Sequence, residues 1–246
     1  LKLAEVLARP EADRNWSAFD EACGPKPYTA DVHLVRAKAL VARQKSADAE
    51  KLLAEVIAAG VEDPRPRVAL ASLRGNRDPD AGLAVIAEAE AKLGDRVDLR
   101  LAKAQLLCRT ASRDGKPLLA LAENAGAFAK ADRARLYSGI AELLASLGHR
   151  PAAVELYTRA AAESPFDIAV RAALFDLALA EKREDLQAKM LAEITALEGT
   201  DGPVRIVAEV TRDLSNLKPG DPTTAIRSRL NVALAARENW GRIHAL

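Results

Sequence analysis

Aromatic side chains are scarce in this chain of 246 residues, at 4% of the total. Histidine is scarcer: His33, His149 and His244 stand apart, with no Cys or His at ligand spacing, which excludes the usual zinc arrangements. No cofactor is implied. Charge of one sign is not in excess, with Lys plus Arg at 36, Asp plus Glu at 35 and a formal charge of +1. That balance argues against a dedicated nucleic-acid binder, which carries a basic excess. No apolar run approaches the roughly 20 residues that a membrane span needs. No basic start followed by an apolar centre marks a secretory signal. The chain opens on Leu1 and not Met. We therefore expect that the natural N-terminus, with any targeting signal, has been removed. A soluble protein of either cytoplasm or periplasm fits.

Signatures of catalysis are missing too. Gly75-Asn76-Arg77-Asp78-Pro79-Asp80-Ala81-Gly82 has glycines, but no strand pattern precedes it and no Lys-Ser/Thr follows. It reads as a turn between helices and not as a phosphate loop. No Gly-x-Ser-x-Gly elbow occurs. Glu181, Glu184 and Asp185 cluster with Lys182 and Arg183 as a solvated charged turn, not an acid/base pair. Asn15-Trp16-Ser17 fits the glycosylation pattern, yet nothing else points to a secreted eukaryotic protein. The expectation is a protein that is not an enzyme.

Alanine supplies what the aromatics do not. It makes up about a fifth of the chain, and it is the best intrinsic helix former. Val, Ile and Thr are too scattered to build strands. An all-α chain follows, with helices packed closely through small side chains. The abundance of Ala and Arg has a bacterial character.

One stretch is organised more clearly than the rest. From Ala134 it runs through Arg135, Leu136 and Tyr137, then Ile140, Ala141, Leu144, Gly148, Ala153, Tyr157 and Ala160 to Pro165. Tyr137, Ile140 and Leu144 follow helical spacing. Gly148 suits a helix end and Pro151 a helix start. Ser164-Pro165 closes the unit, because the residue before a proline is pushed out of the helical region. Ala134 to Asp167 resembles one tetratricopeptide repeat, a helix–turn–helix unit of roughly 34 residues. The resemblance implies an α-solenoid of stacked antiparallel helix pairs, about seven of them, in a right-handed superhelix.

A second copy spans 168–199, with Lys182-Arg183-Glu184 at its turn. The family glycine is absent there, so a looser turn is expected. Between 31 and 109 the pattern is weaker. Ala37 and Ala49 repeat the separation of Ala141 and Ala153, and Leu53 and Val56 stand where Tyr157 and Ala160 stand. Val97, Leu101, Ala104 and Cys108 lie beside Leu99, Ala102 and Leu106, the broad apolar face of a helix sandwiched between neighbours. Two irregular links are expected, at 111–130 (a short helix, then an irregular stretch) and at 199–222. The second encloses a helix from Val204 to about Leu217 and ends in a turn with Asp221 as N-cap and Pro222 after it. Cys23 and Cys108 would sit about two repeats apart, too far to bridge, and read as small core residues.

Arg14-Asn15-Trp16-Ser17-Ala18-Phe19 matches Glu238-Asn239-Trp240-Gly241-Arg242-Ile243. Both tryptophans read as packing residues at the start of a second helix. The chain then begins inside one repeat and ends inside another. We expect a fragment of a longer array, with uncapped ends through which copies could self-associate.

In the tetratricopeptide family the first helix of each repeat lines a concave face. The resemblance places Arg135, Ser138, Glu142 and Ala145 there, then Ala169, Ala172, Asp176 and Leu179, and earlier Asp31, Leu34, Lys38 and Val41. This set mixes charge with small and apolar groups and lacks the Lys, Arg and Asn cluster of a carboxylate clamp. It points to a scaffold that holds a protein or peptide partner of unknown identity in the groove, in the helix-in-groove mode. Two alternatives stand beside it. One is an accessory segment of a larger enzyme, or of an assembly for envelope biogenesis, secretion or polysaccharide export. The other is a self-associating array.

Overall fold

The computed structural model describes residues 2–24, 28–110, 114–218 and 223–236, apart from the side chains of Lys2, Ala12, Leu234 and Ala236. Every regular element among them is helical. The chain divides into two compact units, Leu1–Asp114 and Gly115–Leu246, and the boundary falls inside the first irregular link.

The first unit holds α1 (Lys2–Leu7), α2 (Trp16–Ala22), α3 (Ala30–Ala42), α4 (Ser46–Ala58), α5 (Pro64–Gly75), α6 (Pro79–Leu93) and α7 (Val97–Leu107). α3 packs on α4 and α5 on α6, while α5 also touches α3 and α7. The starts are written in the sequence. Asp63 caps α5 and Asp78 caps α6, each accepting a bond from the backbone N–H two residues on, at 2.9 and 3.0 Å. A proline occupies the first turn of each. Ala49, Leu53, Ala71, Ile86, Ala89 and Leu99 are fully buried in one cluster. Trp16 opens α2, as its position predicts, and packs with Val6, Phe19 and Ala39. The Arg43 guanidinium lies 4.5 Å from its ring centre.

The second unit holds α8 (Lys116–Leu121), α9 (Lys130–Ser146), α10 (Arg150–Glu163), α11 (Ile168–Ala180), α12 (Glu184–Glu198), α13 (Pro203–Asn216) and α14 (Thr224–Ala236). From α9 onward each helix packs on the next, and α11 also meets α13. Arg133 at the start of α9 bonds both oxygens of Glu163 at the end of α10, each at 2.8 Å, so the two helices run antiparallel. α9 starts four residues ahead of the repeat signature, because Lys130-Ala131-Asp132 extends it with an acidic side chain near its positive end. Ala141 and Ala153 are both completely buried. The predicted cap at Asp221-Pro222 and the Trp240 segment lie outside the described residues.

The expected loose turn at Lys182 is instead as tight as its glycine counterpart. Gly148 has φ +89°, and the next amide, of His149, bonds the Leu144 carbonyl at 2.8 Å. This is the Schellman closure. Lys182, at φ +54°, repeats it with Arg183 bonded to the Ala178 carbonyl at 2.8 Å, and Gln44, at φ +61°, with Lys45 bonded to the Leu40 carbonyl at 2.8 Å. Closing the turn therefore outweighs the cost of a left-handed side-chain residue, about 1 kcal/mol. Replacing Lys182 or Gln44 by glycine should stabilise the protein by up to about 1 kcal/mol each, less glycine's entropy cost in the unfolded chain. Urea melts read this directly, and a loss of stability in both variants would refute it.

Candidate partner-binding groove

In the first unit the parallel placement of α3, α5 and α7 leaves a hollow of about 700 Å³ along their shared face. Leu34, Val68, Leu73 and Leu101 supply its apolar surface, while Asp31, Lys38, Arg65 and Asp98 supply charge. Val35 and Val41 are 37% and 38% exposed, unusually open for their type. Arg65 Nη1 donates to Asp31 Oδ1 at 2.6 Å, tying α5 to α3 across 34 residues of chain. Its bonds to Asp63 and Asp31 hold that guanidinium firmly protonated, and Arg65 pulls the Asp63 carboxyl below its ordinary value. A second hollow, of about 450 Å³, opens toward α1 and α2 and shares Asp31, Val35 and Lys38 with the first. The groove thus continues across five helices, α1, α2, α3, α5 and α7.

Of the residues singled out from the sequence, Lys38 lines this groove, with Asp31, Leu34 and Val41 beside it. The other eight, Arg135, Ser138, Glu142, Ala145, Ala169, Ala172, Asp176 and Leu179, lie in the second unit. On α9, Arg135 is exposed and bonds Asp132 at 3.3 Å, Ser138 is half-buried and Glu142 is exposed. On α11, Asp176 is half-buried. Ala172 is buried with Ile194 and Val204, so it offers packing and no open surface. Glu142 and Asp176 act on one side chain. Tyr157 of α10 has its phenol pushed up to about 12, by burial first and then by the charges of Glu142 and Asp176.

Arg65, Val68, Leu73, Asp98 and Leu101 were not singled out from the sequence as groove residues. Carrying the 34-residue step from Asp31 to Arg65 and from Leu34 to Val68 finds two of them. Beyond α6 that step slips, because the turns differ in length. Both cysteines are free. Among the described residues no three His, Cys, Asp or Glu could share a metal ion, and no helix is long and apolar enough to cross a membrane.

No family model matches the chain, and no curated protein does. Among solved structures it is similar to one described as "MamA RS-1 ArsTM double mutant". That likeness has 18% identity and a TM-score of 0.47, covering 69% of this chain and 94% of the other. The fold rests on the chain's own helices and not on this likeness.

Proposed function

We propose that the chain is a non-catalytic protein-interaction scaffold of the tetratricopeptide type, a right-handed α-solenoid whose first-unit groove receives a helix or peptide of a partner. The observation that carries this reading is the open hollow over α3, α5 and α7. It combines an apolar surface, a charged rim and two valines left more than a third exposed. Apolar surface concentrated in a concavity and rimmed by charge marks an interaction site. An amphipathic helix would set its apolar stripe against Leu34, Val68 and Leu101 and its charges against Lys38 and Asp98. Arg135, Glu142, Tyr157 and Asp176 form a second polar surface on α9 to α11 for the same kind of partner.

The test is quantitative capture from source-cell lysate by the parent chain, Leu101→Asp and the outer-surface control Lys51→Glu. A charge placed on the groove's apolar surface should cut capture of the groove partner by about tenfold or more, as truncation of an interface hot spot does. Lys51→Glu should leave it unchanged. Equal capture by all three folded proteins would contradict the reading.

A further inference from the structure

The first unit contains another hollow, of about 610 Å³, between α4, α5 and α6. Its walls are aliphatic where Ile57, Leu70, Val85 and Leu93 line it. Arg67 also lines it and is only 6% exposed. Its Nη1 donates to the Val61 carbonyl at 2.6 Å. Among the described residues no carboxylate pairs with it.

The other buried arginine among the described residues, Arg171, shows what is missing. Arg171 and Arg67 each stand four residues after a capping aspartate, Asp167 and Asp63. Arg171 donates to the carbonyls of Ser164 and Asp167 at 3.0 and 2.9 Å and pairs with Glu193 at 3.2 Å. Glu193 is ten residues beyond the cap of α12, and Glu88 is ten beyond the cap of α6. Glu88 stays exposed and does not reach Arg67; the hollow lies where the pair would form. A buried guanidinium without its counter-charge is costly, and an anion that supplies one recovers that cost.

We propose that this hollow binds an aliphatic carboxylate. The carboxylate bonds Arg67 as Glu193 bonds Arg171, and the hydrocarbon lies along Ile57, Leu70, Val85 and Leu93. The volume falls within the range of about 300–1,000 Å³ typical of small-molecule sites. Arg74 also lines the hollow but is paired with Glu50 at 3.6 Å; at the rim Lys92 favours an anion, while Glu62 and Glu88 oppose it. Lys92, Glu62 and Glu88 are exposed and screened by salt, so the buried, carboxylate-free Arg67 guanidinium sets the preference. The carboxylate could come from a free fatty acid or from the end of a peptide.

Calorimetric titration of the whole chain with octanoate and with N-acetyl-leucine tests this and separates the two sources. Saturable binding of either, with octanol at least about tenfold weaker, is the expected result. Arg67→Met should weaken it by about tenfold or more, and Glu88→Gln should tighten it. Leu93→Trp fills the hollow while keeping Arg67, so it should abolish binding even if Arg67→Met folds poorly. Octanol binding as tightly as octanoate, or affinity unchanged in Leu93→Trp, would overturn the proposal.

Discussion

Ala153→Trp is expected to destabilise the second unit by about 3 kcal/mol or more, the upper end of the cost of overpacking. Ala153 is completely buried on α10, and Ala141 is completely buried on α9, the helix α10 packs against most extensively. On the same two helices Ile140, Leu144 and Leu156 are also buried, so an indole in place of the Ala153 methyl must displace packed side chains. Close-packed interiors feel even one added methylene. Circular dichroism against urea measures the effect. An unchanged midpoint would mean that the α9–α10 register is wrong. Ala152→Trp, one residue away and half-buried, should cost far less.

Gly82→Ala should also destabilise, against the ordinary helix rule. Gly82 lies inside α6, where alanine normally gains about 1 kcal/mol over glycine. Here a Cβ would stand 2.7 Å from the Ala71 carbonyl oxygen and 2.9 Å from the Gly75 Cα. Both are backbone atoms of α5 and cannot rotate away. Parting the two helices costs about 1–3 kcal/mol, so overpacking offsets or outweighs propensity and a net loss of up to about 2 kcal/mol is expected. Thermal melting tests this, and a more stable variant would show that α5 and α6 are not so close.

Much of the hairpin architecture was legible because it depends on small residues and turn chemistry. Ala141, Ala153, Gly148 and Pro151 each announce a close approach or a turn by residue type alone. Lys182 and Gln44 do not, since nothing in lysine or glutamine specifies a left-handed conformation; the surrounding hydrogen bonds impose it. That Lys38 lines the hollow over α3, α5 and α7 was legible because α3 keeps the repeat's register. Leu101 and Asp98 were not, because register drifts across turns of unequal length. In the sequence Tyr157 is only a position of the repeat signature, and it is the packing of α9 and α11 around it that brings Glu142 and Asp176 to its phenol. The isolation of Arg67 cannot be seen in one dimension. Its sequence surroundings match those of Arg171, and only the side-chain geometry leaves Glu88 out of reach.

The first unit's groove is the proposed partner site. Photo-crosslinking from single benzoylphenylalanine substitutions tests it most directly. Val41 and Leu101 lie at the groove, and exposed Lys51 lies on α4 away from it. Probes at Val41 and Leu101 are expected to label the same segment of one partner, and the probe at Lys51 is expected not to. A partner labelled from Lys51 alone, or equally from all three positions, would contradict it.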